Sequence, residues 1–437
     1  MIKEIRIQMF KNKKIIFIPI LGFLILILIG TILLQLPISN TRPIKYIDAL
    51  FTSVTSVCTT GFTTVTIADQ FTLFGQVIIL LLTQIGALGL VIFIAFLFIL
   101  LNKRINISSV VFFSENINSE NYSELQKKIK QILRYTFAIE GIGAWFLTLY
   151  FVPKYGFAKG LWYSIFHSVT AFCNAGLDLF GTNSLVQFKD NLYVTYIFMV
   201  LILLGGLGFF VLQDIFDCLS HGRLKKLSLQ SKIVISSTTI LTIISLIFIR
   251  ILEPAISWHE SFFASITLRT AGFYITDFSN YSLPIQILSM ILMFIGAAPG
   301  STSGGIKLVT FTVIVLTIRS TLSGKENVNV FYKKISPKTI RMSFTIAVLS
   351  LTVVFAGIIL FAKYDNFGLS EISFQCVSAF SNTGVGLFDN KDLNSIGKLI
   401  TIALMFLGKI GTISFFTLMS GKSKDKNLEY VEGKLIL

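Results

Sequence analysis

The segment SVTSVCTTGFTT, Ser53–Thr64, decides the fold of this chain. It is rich in threonine and serine and contains one glycine, Gly61, yet long apolar runs lie on both sides of it. Non-helical backbone between two membrane-length runs is tolerated only where protein buries it or water reaches it. Such a segment makes structural sense as one member of a repeated set.

Three further segments align with it, so the chain is built from an internal repeat. They read SVTAFCNAGL at Ser168–Leu177, ASITLRTAGF at Ala264–Phe273 and VSAFSNTGV at Val377–Val385. The shared glycines are Gly61, Gly176, Gly272 and Gly384, spaced by roughly a hundred residues. This spacing predicts four units, at residues 1–101, 102–218, 219–322 and 323–437. Their four glycine loops are residues 58–63, 173–178, 269–274 and 381–386.

The composition is that of an integral membrane protein. Of the 437 residues, 54% are hydrophobic and 14% are charged, and the mean hydropathy is +0.78. Each unit begins with an apolar span: Ile15–Leu36, Ile132–Val152, Ile233–Ile251 and Phe344–Phe361. A run too short to cross a bilayer then leads to the glycine, starting at Tyr46, Ala158, Ser257 and Leu369. A second apolar span follows, and it carries a further recurring glycine: Gly86, Gly205, Gly296 and Gly408.

These repeats predict an all-α polytopic membrane protein. Four parallel M1-P-M2 repeats, each a span, a re-entrant helix and a span, would surround a pseudo-fourfold central pore. The prediction counts eight transmembrane helices plus four re-entrant pore helices.

The net charge of +15 reflects topology rather than a nucleic-acid partner. Most of the 37 Lys and Arg residues lie in five segments at the starts and ends of the units: 1–14, 102–134, 219–232, 319–341 and the tail after residue 421. The positive-inside rule places these segments, and both termini, in the cytoplasm. We therefore expect a multi-pass plasma-membrane protein surrounded by lipid, with no nucleic acid bound.

Four polar loops around one axis predict a cation pore. Glycine lets the backbone turn carbonyl oxygens toward the axis, where they replace an ion's hydration shell. The loops read TTGF, NAGL, TAGF and NTGV, without a ring of Asp or Glu, which favours K+ coordinated by backbone carbonyls. The predicted K+ ligands are Thr59, Thr60, Gly61, Asn174, Ala175, Gly176, Thr270, Ala271, Gly272, Asn382, Thr383 and Gly384. The alternative is that these glycines only permit close helix packing.

The second span of unit 3 contains a glycine-rich segment, GAAPGSTSGG at residues 296–305, which cannot hold a regular helix. We expect it to lie across the permeation path. Its residues are Gly296, Ala297, Ala298, Pro299, Gly300, Ser301, Thr302, Ser303, Gly304 and Gly305. Three charges within the span regions need partners or water. Lys409 should point to the cavity, Arg269 should hold the third loop from behind, and Glu140 is a neutralising residue without an identified partner.

The four loops together with GAAPGSTSGGIK resemble the membrane subunits of the Ktr/Trk/HKT superfamily of potassium transporters, and the resemblance covers essentially the whole chain. The predicted number of eight main spans is most similar to that of the Ktr branch. The resemblance implies K+ uptake by a homodimer with one pore per protomer, and a cytosolic nucleotide-binding ring of the KtrA type that binds ATP or ADP. It assigns residues 296–305 as the gate, paired with a residue that is usually Arg and here is Lys409. Four loop glycines are similar to the K+-selective pattern.

Two other functions remain open from the sequence. One is a Na+ or weakly selective monovalent cation transporter, since the loops lack the T-V-G-Y-G consensus. The other is an intramembrane enzyme, for which no nucleophile with a base, H-E-x-x-H helix or aspartate pair is present. We expect no covalent cofactor, with K+ as the transported ion and Na+ as a candidate coupling or activating ion. The sequence does not distinguish a channel from Na+- or H+-coupled transport.

Overall fold

The computed structural model describes residues 13–89, 92–93, 122–181, 183–220 and 227–419. Much of the predicted cytoplasmic segments 1–14 and 102–134, and all of the tail after residue 421, lie outside these residues. Within them the chain is mostly helical. Unit 1 contains α1 (Lys13–Gln35), α2 (Tyr46–Cys58) and α3 (Leu73–Leu88). Unit 2 contains α4 (Tyr122–Tyr155), α5 (Phe157–Phe172), α6 (Leu192–Leu207) and α7 (Phe209–Ser220).

The second half of the chain continues the pattern. Unit 3 contains α8 (Leu229–Leu252), α9 (Trp258–Thr267), α10 (Leu283–Phe294) and α11 (Leu308–Leu322). Unit 4 contains α12 (Pro337–Tyr364), α13 (Leu369–Ser381), α14 (Ser395–Ile410) and α15 (Thr412–Met419). Two short antiparallel strands, β1 (Asn329–Val330) and β2 (Lys333–Lys334), form a hairpin between α11 and α12.

The first helix of each unit faces an apolar solvent. Helices α1, α4, α8 and α12 are long and apolar enough to cross a membrane, and only about a third or less of their apolar windows is buried inside the protein. Large side chains such as Ile32, Trp145, Phe248 and Phe355 point outward. A water-exposed surface of this kind would be unstable, so these faces indicate contact with lipid.

The second apolar span is interrupted in units 2 and 4 as well as in unit 3, where the sequence analysis expected a break. Helices α3, α6 and α14 end at Gly89, Gly208 and Gly411, whose φ angles are 79°, 86° and 87°. Only glycine adopts such angles without a Cβ penalty, so each glycine terminates its helix. The axes of α6 and α7 differ in direction by 99°. By length and composition, four described helices could span a membrane alone, or five if α6 and α7 form one span, so the count of eight remains a prediction.

The short helices that lead to the glycine loops, α2, α5, α9 and α13, lie at the centre of the protein. Helix α2 is buried from Thr52 to its last residue, and α13 is buried from Phe374 to its last residue. Both contribute to one apolar cluster, while α5 and α9 join it to a second cluster built around unit 2. The centre therefore consists of the short helices and the glycine loops that follow them, enclosed by the longer helices.

Candidate ion pathway

The four glycine loops share one unusual backbone conformation. The residue two positions before each glycine is left-handed: φ is 54° at Thr59, 50° at Asn174, 71° at Thr270 and 54° at Asn382. Each glycine also has a positive φ: 109° at Gly61, 62° at Gly176, 82° at Gly272 and 80° at Gly384. A β-branched threonine rarely adopts this region, so surrounding contacts must hold it there.

The loops meet one another in a closed ring. A β-carbon added to Gly61 would lie 3.0 Å from Ala175 O, one on Gly176 would lie 3.1 Å from Ala271 O, and one on Gly272 would lie 2.7 Å from Thr383 O. A β-carbon on Gly384 would overlap Thr60 O. Each carbonyl belongs to the residue before a loop glycine, and each faces the glycine of a neighbouring loop. The centre thus presents four carbonyl oxygens and has no room for side chains at the glycines.

The ends of the short helices create this conformation. In units 1, 2 and 4, an N–H of the loop donates to a carbonyl five residues earlier, as in a Schellman cap: Thr60 to Thr55, Ala175 to Thr170 and Thr383 to Ser378, all at 2.9 Å. In unit 3, Ala271 N–H instead donates to Thr267 O at 3.0 Å. All four short helices direct their C-termini at the ring, so their negative dipole ends favour a cation there.

The recurring glycines of the second apolar spans have a different role, which is close packing. A β-carbon at Gly86, Gly205 or Gly408 would overlap the carbonyl oxygen of Val57, Phe172 or Phe380, respectively. These carbonyls all lie four residues before the loop glycine of the same unit. Unit 3 departs from the pattern, because Gly296 packs against Gly304 O within the glycine-rich segment. The packing interpretation therefore fits these glycines, whereas the loop glycines also require positive φ.

A cavity of about 540 Å³ lies against one side of the ring, and all four loop glycines line it. Its wall includes Asp178, Asp277, Asp389 and Lys391. The Lys391 ammonium group lies 3.3 Å from the Asp389 carboxylate, so the four side chains leave an excess of negative charge. This charge would raise the local concentration of cations at the ring.

A buried carboxylate anchors the start of α9 beside this cavity. Glu260 forms a salt bridge to Lys189 at 2.7 Å, accepts a hydrogen bond from the Ser257 N–H at 2.9 Å, and accepts another from Thr276 Oγ1 at 2.7 Å. Burial alone would raise the pKa of Glu260, but these donors outweigh it and lower the pKa to about 2. Glu260 is therefore ionised, and its charge is favourable at a helix N-terminus.

The glycine-rich segment contacts the bend between α6 and α7. Ala298 N–H donates to Gly206 O at 3.1 Å, and Phe209 N–H donates to Gly300 O at 3.0 Å. These bonds satisfy backbone groups on both sides, so the broken helices of units 2 and 3 support each other.

The same segment also touches units 1 and 4. Thr302 O accepts a hydrogen bond from Thr59 Oγ1 at 2.8 Å, and Gly304 packs against the side chain of Asn382. Thr59 begins the first loop, whereas the cavity is lined by the later residues Gly61 and Phe62. The segment therefore lies on the side of the ring opposite the cavity.

Two lysines bind the carbonyls of this segment. Lys409 Nζ donates to Thr302 O at 2.7 Å and to Thr59 Oγ1 at 2.8 Å. Lys307 Nζ donates to Ser303 O. The structure thus brings Lys409 to residues 296–305, in the place where the family resemblance implied a paired cation.

The other two predicted charges, Arg269 and Glu140, have neutral surroundings among the described residues. Arg269 is buried and lines a small cavity with Gly206 and Ala297. Its Nε has no hydrogen-bond partner among the described residues. Glu140 Oε1 lies 3.9 Å from Cys173 Sγ. The same sulfur lies 3.5 Å from Gln84 Oε1. Neither charge belongs to an ion pair in the described part of the chain.

One buried ion pair was not predicted from the sequence. Asp48 Oδ1 accepts from Lys398 Nζ at 2.8 Å, with side chains that are only 10% and 11% exposed. The pair joins the start of α2 to the first turn of α14, so it ties unit 1 to unit 4. The sequence signal was a lysine inside an apolar span, SIGKLITIAL, but its partner is 350 residues away.

Comparison with known proteins identifies the family. A family model described as TrkH, cation transport protein, matches residues 17–430. The chain is 36% identical over 434 residues to the potassium/sodium uptake protein NtpJ of Enterococcus hirae, covering 95% of each chain. It is 35% identical over 429 residues to the Ktr system potassium uptake protein B of Bacillus subtilis, again covering 95% of each. The crystal structure of the potassium transporter TrkH from Vibrio parahaemolyticus has a similar fold, with a TM-score of 0.71 over 91% of this chain and 84% of that chain, at 18% identity. This chain therefore belongs to the TrkH family of cation transport proteins.

Proposed function

We propose that this chain takes up K+ through the ring of four glycine loops, which acts as its selectivity filter. The observation that carries this proposal is the convergence of the carbonyl oxygens of Thr60, Ala175, Ala271 and Thr383 on the loop glycines. The names of the relatives, both potassium uptake proteins, support the same ion. Because the chain belongs to a family of cation transport proteins, we prefer transport to the alternative of an intramembrane enzyme.

The chemistry of the ring favours a weakly hydrated monovalent cation. Backbone carbonyls replace the hydration shell of an ion, and K+ gives up its water at lower cost than Na+. Four helix C-termini add partial negative charge without adding a carboxylate that would hold a divalent ion tightly. The net negative charge of the cavity wall would concentrate cations at the entrance.

Residues 296–305 form the gate in this proposal. They lie beneath the ring and are bonded to groups of units 1, 2 and 4, so ions that leave the ring on this side must pass them. Lys409 and Lys307 hold the segment and add positive charge that opposes cation passage while it is in place. Movement of this segment would open the pathway.

The arrangement in the membrane is part of the same proposal. The four units would form M1-P-M2 repeats around a pseudo-fourfold axis, with broken second helices completing eight crossings and both termini in the cytoplasm. The family resemblance adds a homodimer in the plasma membrane and a separate cytosolic nucleotide-binding ring that regulates the gate. K+ is substrate here, and Na+ is a candidate coupling or activating ion.

A mixed K+ and Na+ pathway is the second candidate, since one relative is named a potassium/sodium uptake protein. Flux of K+ and Na+ into proteoliposomes separates the two. We expect wild-type flux to favour K+ and Gly61→Ser to lose that preference, because the new side chain would enter the ring. Gly324→Ser is the control, since Gly324 has a positive φ of 65° but no atom within 4 Å of an added β-carbon. Equal wild-type fluxes would contradict K+ selectivity and favour the mixed pathway.

A further inference from the structure

The hydroxyl of Thr59 joins the first glycine loop directly to the glycine-rich segment. Its Oγ1 donates to Thr302 O at 2.8 Å and accepts from Lys409 Nζ at 2.8 Å. Lys409 Nζ also donates to the same Thr302 carbonyl, at 2.7 Å. The three groups form a closed triangle of hydrogen bonds, and they come from units 1, 3 and 4. Thr59 and Thr302 are fully buried, so water does not compete for these bonds.

The equivalent residues of the other loops do not bond the segment through a side-chain hydrogen bond. Thr270 Oγ1 has no hydrogen-bond partner among the described residues. The Asn382 amide nitrogen donates to groups of units 1 and 4. Asn174, with its amide oriented to donate, bonds two carbonyls of its own unit. The four loops share a backbone conformation, so this contact distinguishes the first loop.

Thr59 also has a second acceptor within its own unit. Its Oγ1 lies 2.6 Å from Cys58 O. A hydroxyl carries one proton, so it donates to one of the two carbonyls at a time. If the segment moved away, the hydroxyl would turn to donate to Cys58 O, but the closed triangle with Lys409 and Thr302 would be lost. The bond to Cys58 O therefore compensates only part of what release of the segment costs.

We propose that Thr59 is a positioning residue that latches the glycine-rich segment beneath the ring. The latch couples the first glycine loop to the gate, so a change at either one is transmitted to the other. This inference rests on the proposed function of residues 296–305 as the gate. The bond to Thr302 exists only while the segment lies across the pathway, so its loss shifts the equilibrium toward the open state.

The test compares two buried threonines, one in the triangle of hydrogen bonds and one outside the ion pathway. Thr59→Val removes the hydroxyl but keeps β-branching and size, so the left-handed backbone is no less favourable than before. Thr136→Val is the matched control, because the Thr136 hydroxyl on α4 is also buried but belongs to neither the ring nor the segment, and it has no hydrogen-bond partner among the described residues. Thr59→Ser keeps the hydroxyl and serves as the rescue variant. All variants are measured as full-length protein in proteoliposomes, for K+ flux and for the ratio of K+ to Na+ flux.

We expect Thr59→Val to raise K+ flux about two- to fivefold, the effect on a two-state equilibrium of losing a buried hydrogen bond that is partly replaced in the open state. Thr59→Ser, which keeps the hydroxyl, should raise flux less than Thr59→Val, and Thr136→Val should retain wild-type flux. Lys409→Met should also raise flux, and adding Thr59→Val to it should have little further effect because both changes open the same triangle. If Thr59→Val does not fold, Thr59→Ala removes the same hydroxyl with a smaller side chain.

Unchanged flux in Thr59→Val, or an equal rise in Thr136→Val, would overturn the latch. Fully additive effects of the Thr59 and Lys409 changes would also overturn it. Deletion of residues 300–304 separates this inference from the proposed function. If the deletion raises flux while Thr59→Val does not, the gate stands and the latch is wrong. If the deletion leaves flux unchanged, the gate itself is wrong.

Discussion

Breaking the buried ion pair between Asp48 and Lys398 should destabilise the protein strongly. The two charged atoms are 2.8 Å apart, and the side chains are 10% and 11% exposed. Lys398→Met leaves the Asp48 carboxylate buried without its partner, which typically costs about 3–5 kcal/mol. The free energy of unfolding of the detergent-solubilised protein, followed by helical circular dichroism during denaturant titration, measures the loss.

The chain supplies a matched control for this prediction. Glu124 and Lys128 are also 2.8 Å apart, but their side chains are 35% and 21% exposed. Lys128→Met should therefore cost only about 0.3–0.5 kcal/mol, as expected of a partly exposed i,i+4 pair on a helix. Replacing both buried partners, as Asp48→Leu with Lys398→Met, should recover most of the stability because no buried charge is left. Equal costs at Lys398 and Lys128, or a double variant less stable than Lys398→Met alone, would refute the reasoning.

Two further predictions concern packing and pH. Gly205→Ala should destabilise the protein by about 3 kcal/mol or more, because the new methyl group would overlap Phe172 O. Gly141→Ala is the control: it lies in open space on α4 and should be neutral or stabilising by up to about 1 kcal/mol. Equal melting temperatures of the two variants would contradict the close-packing role of Gly205. Because the pKa of Glu260 is lowered from 4.5 to about 2, its contribution to stability is present above pH 4.5 and is lost as the pH falls toward 2. The melting temperature of the wild type should therefore fall more steeply over this range than that of Glu260→Gln, and identical slopes would disprove the role of Glu260 and Lys189.

The regular part of the fold could be predicted because it is encoded locally. The short runs were expected to start at Tyr46, Ala158, Ser257 and Leu369, and the observed helices start within one residue of these positions. Capping residues, apolar length and a loop glycine all lie within each repeat. Repetition strengthened the prediction, because a signal too weak to interpret once becomes specific when it recurs four times.

The breaks at Gly89, Gly208 and Gly411 could not be predicted with the same rules. A single glycine costs a helix only about 1 kcal/mol, so it is normally tolerated within a span. By contrast, the four glycines and the proline of residues 296–305 exclude a helix on their own. At Gly208 the difference is tertiary, since this glycine packs against the backbone of Pro299 and Gly300 from another unit.

Long-range pairing was also beyond the sequence. The charge of Lys409 was recognised as unusual, but its contact with Thr59 joins residues 350 positions apart. Thr59 was predicted as an ion ligand from its place in the loop, and the sequence did not show that its side chain bonds the glycine-rich segment. Arg269 and Glu140 were recognised as charges that need explanation, and within the described residues their neighbours are neutral groups.

The central claim is that the carbonyl oxygens of Thr60, Ala175, Ala271 and Thr383 bind the transported ion. Crystals of the protein grown with Rb+ or Tl+ in place of K+ would show these ions directly by anomalous scattering. We expect anomalous density on the axis of the ring, within coordination distance of these four oxygens, that disappears when Na+ replaces the heavier ion. Density confined to the acidic cavity, or equal occupancy in Na+, would contradict a carbonyl filter selective for K+.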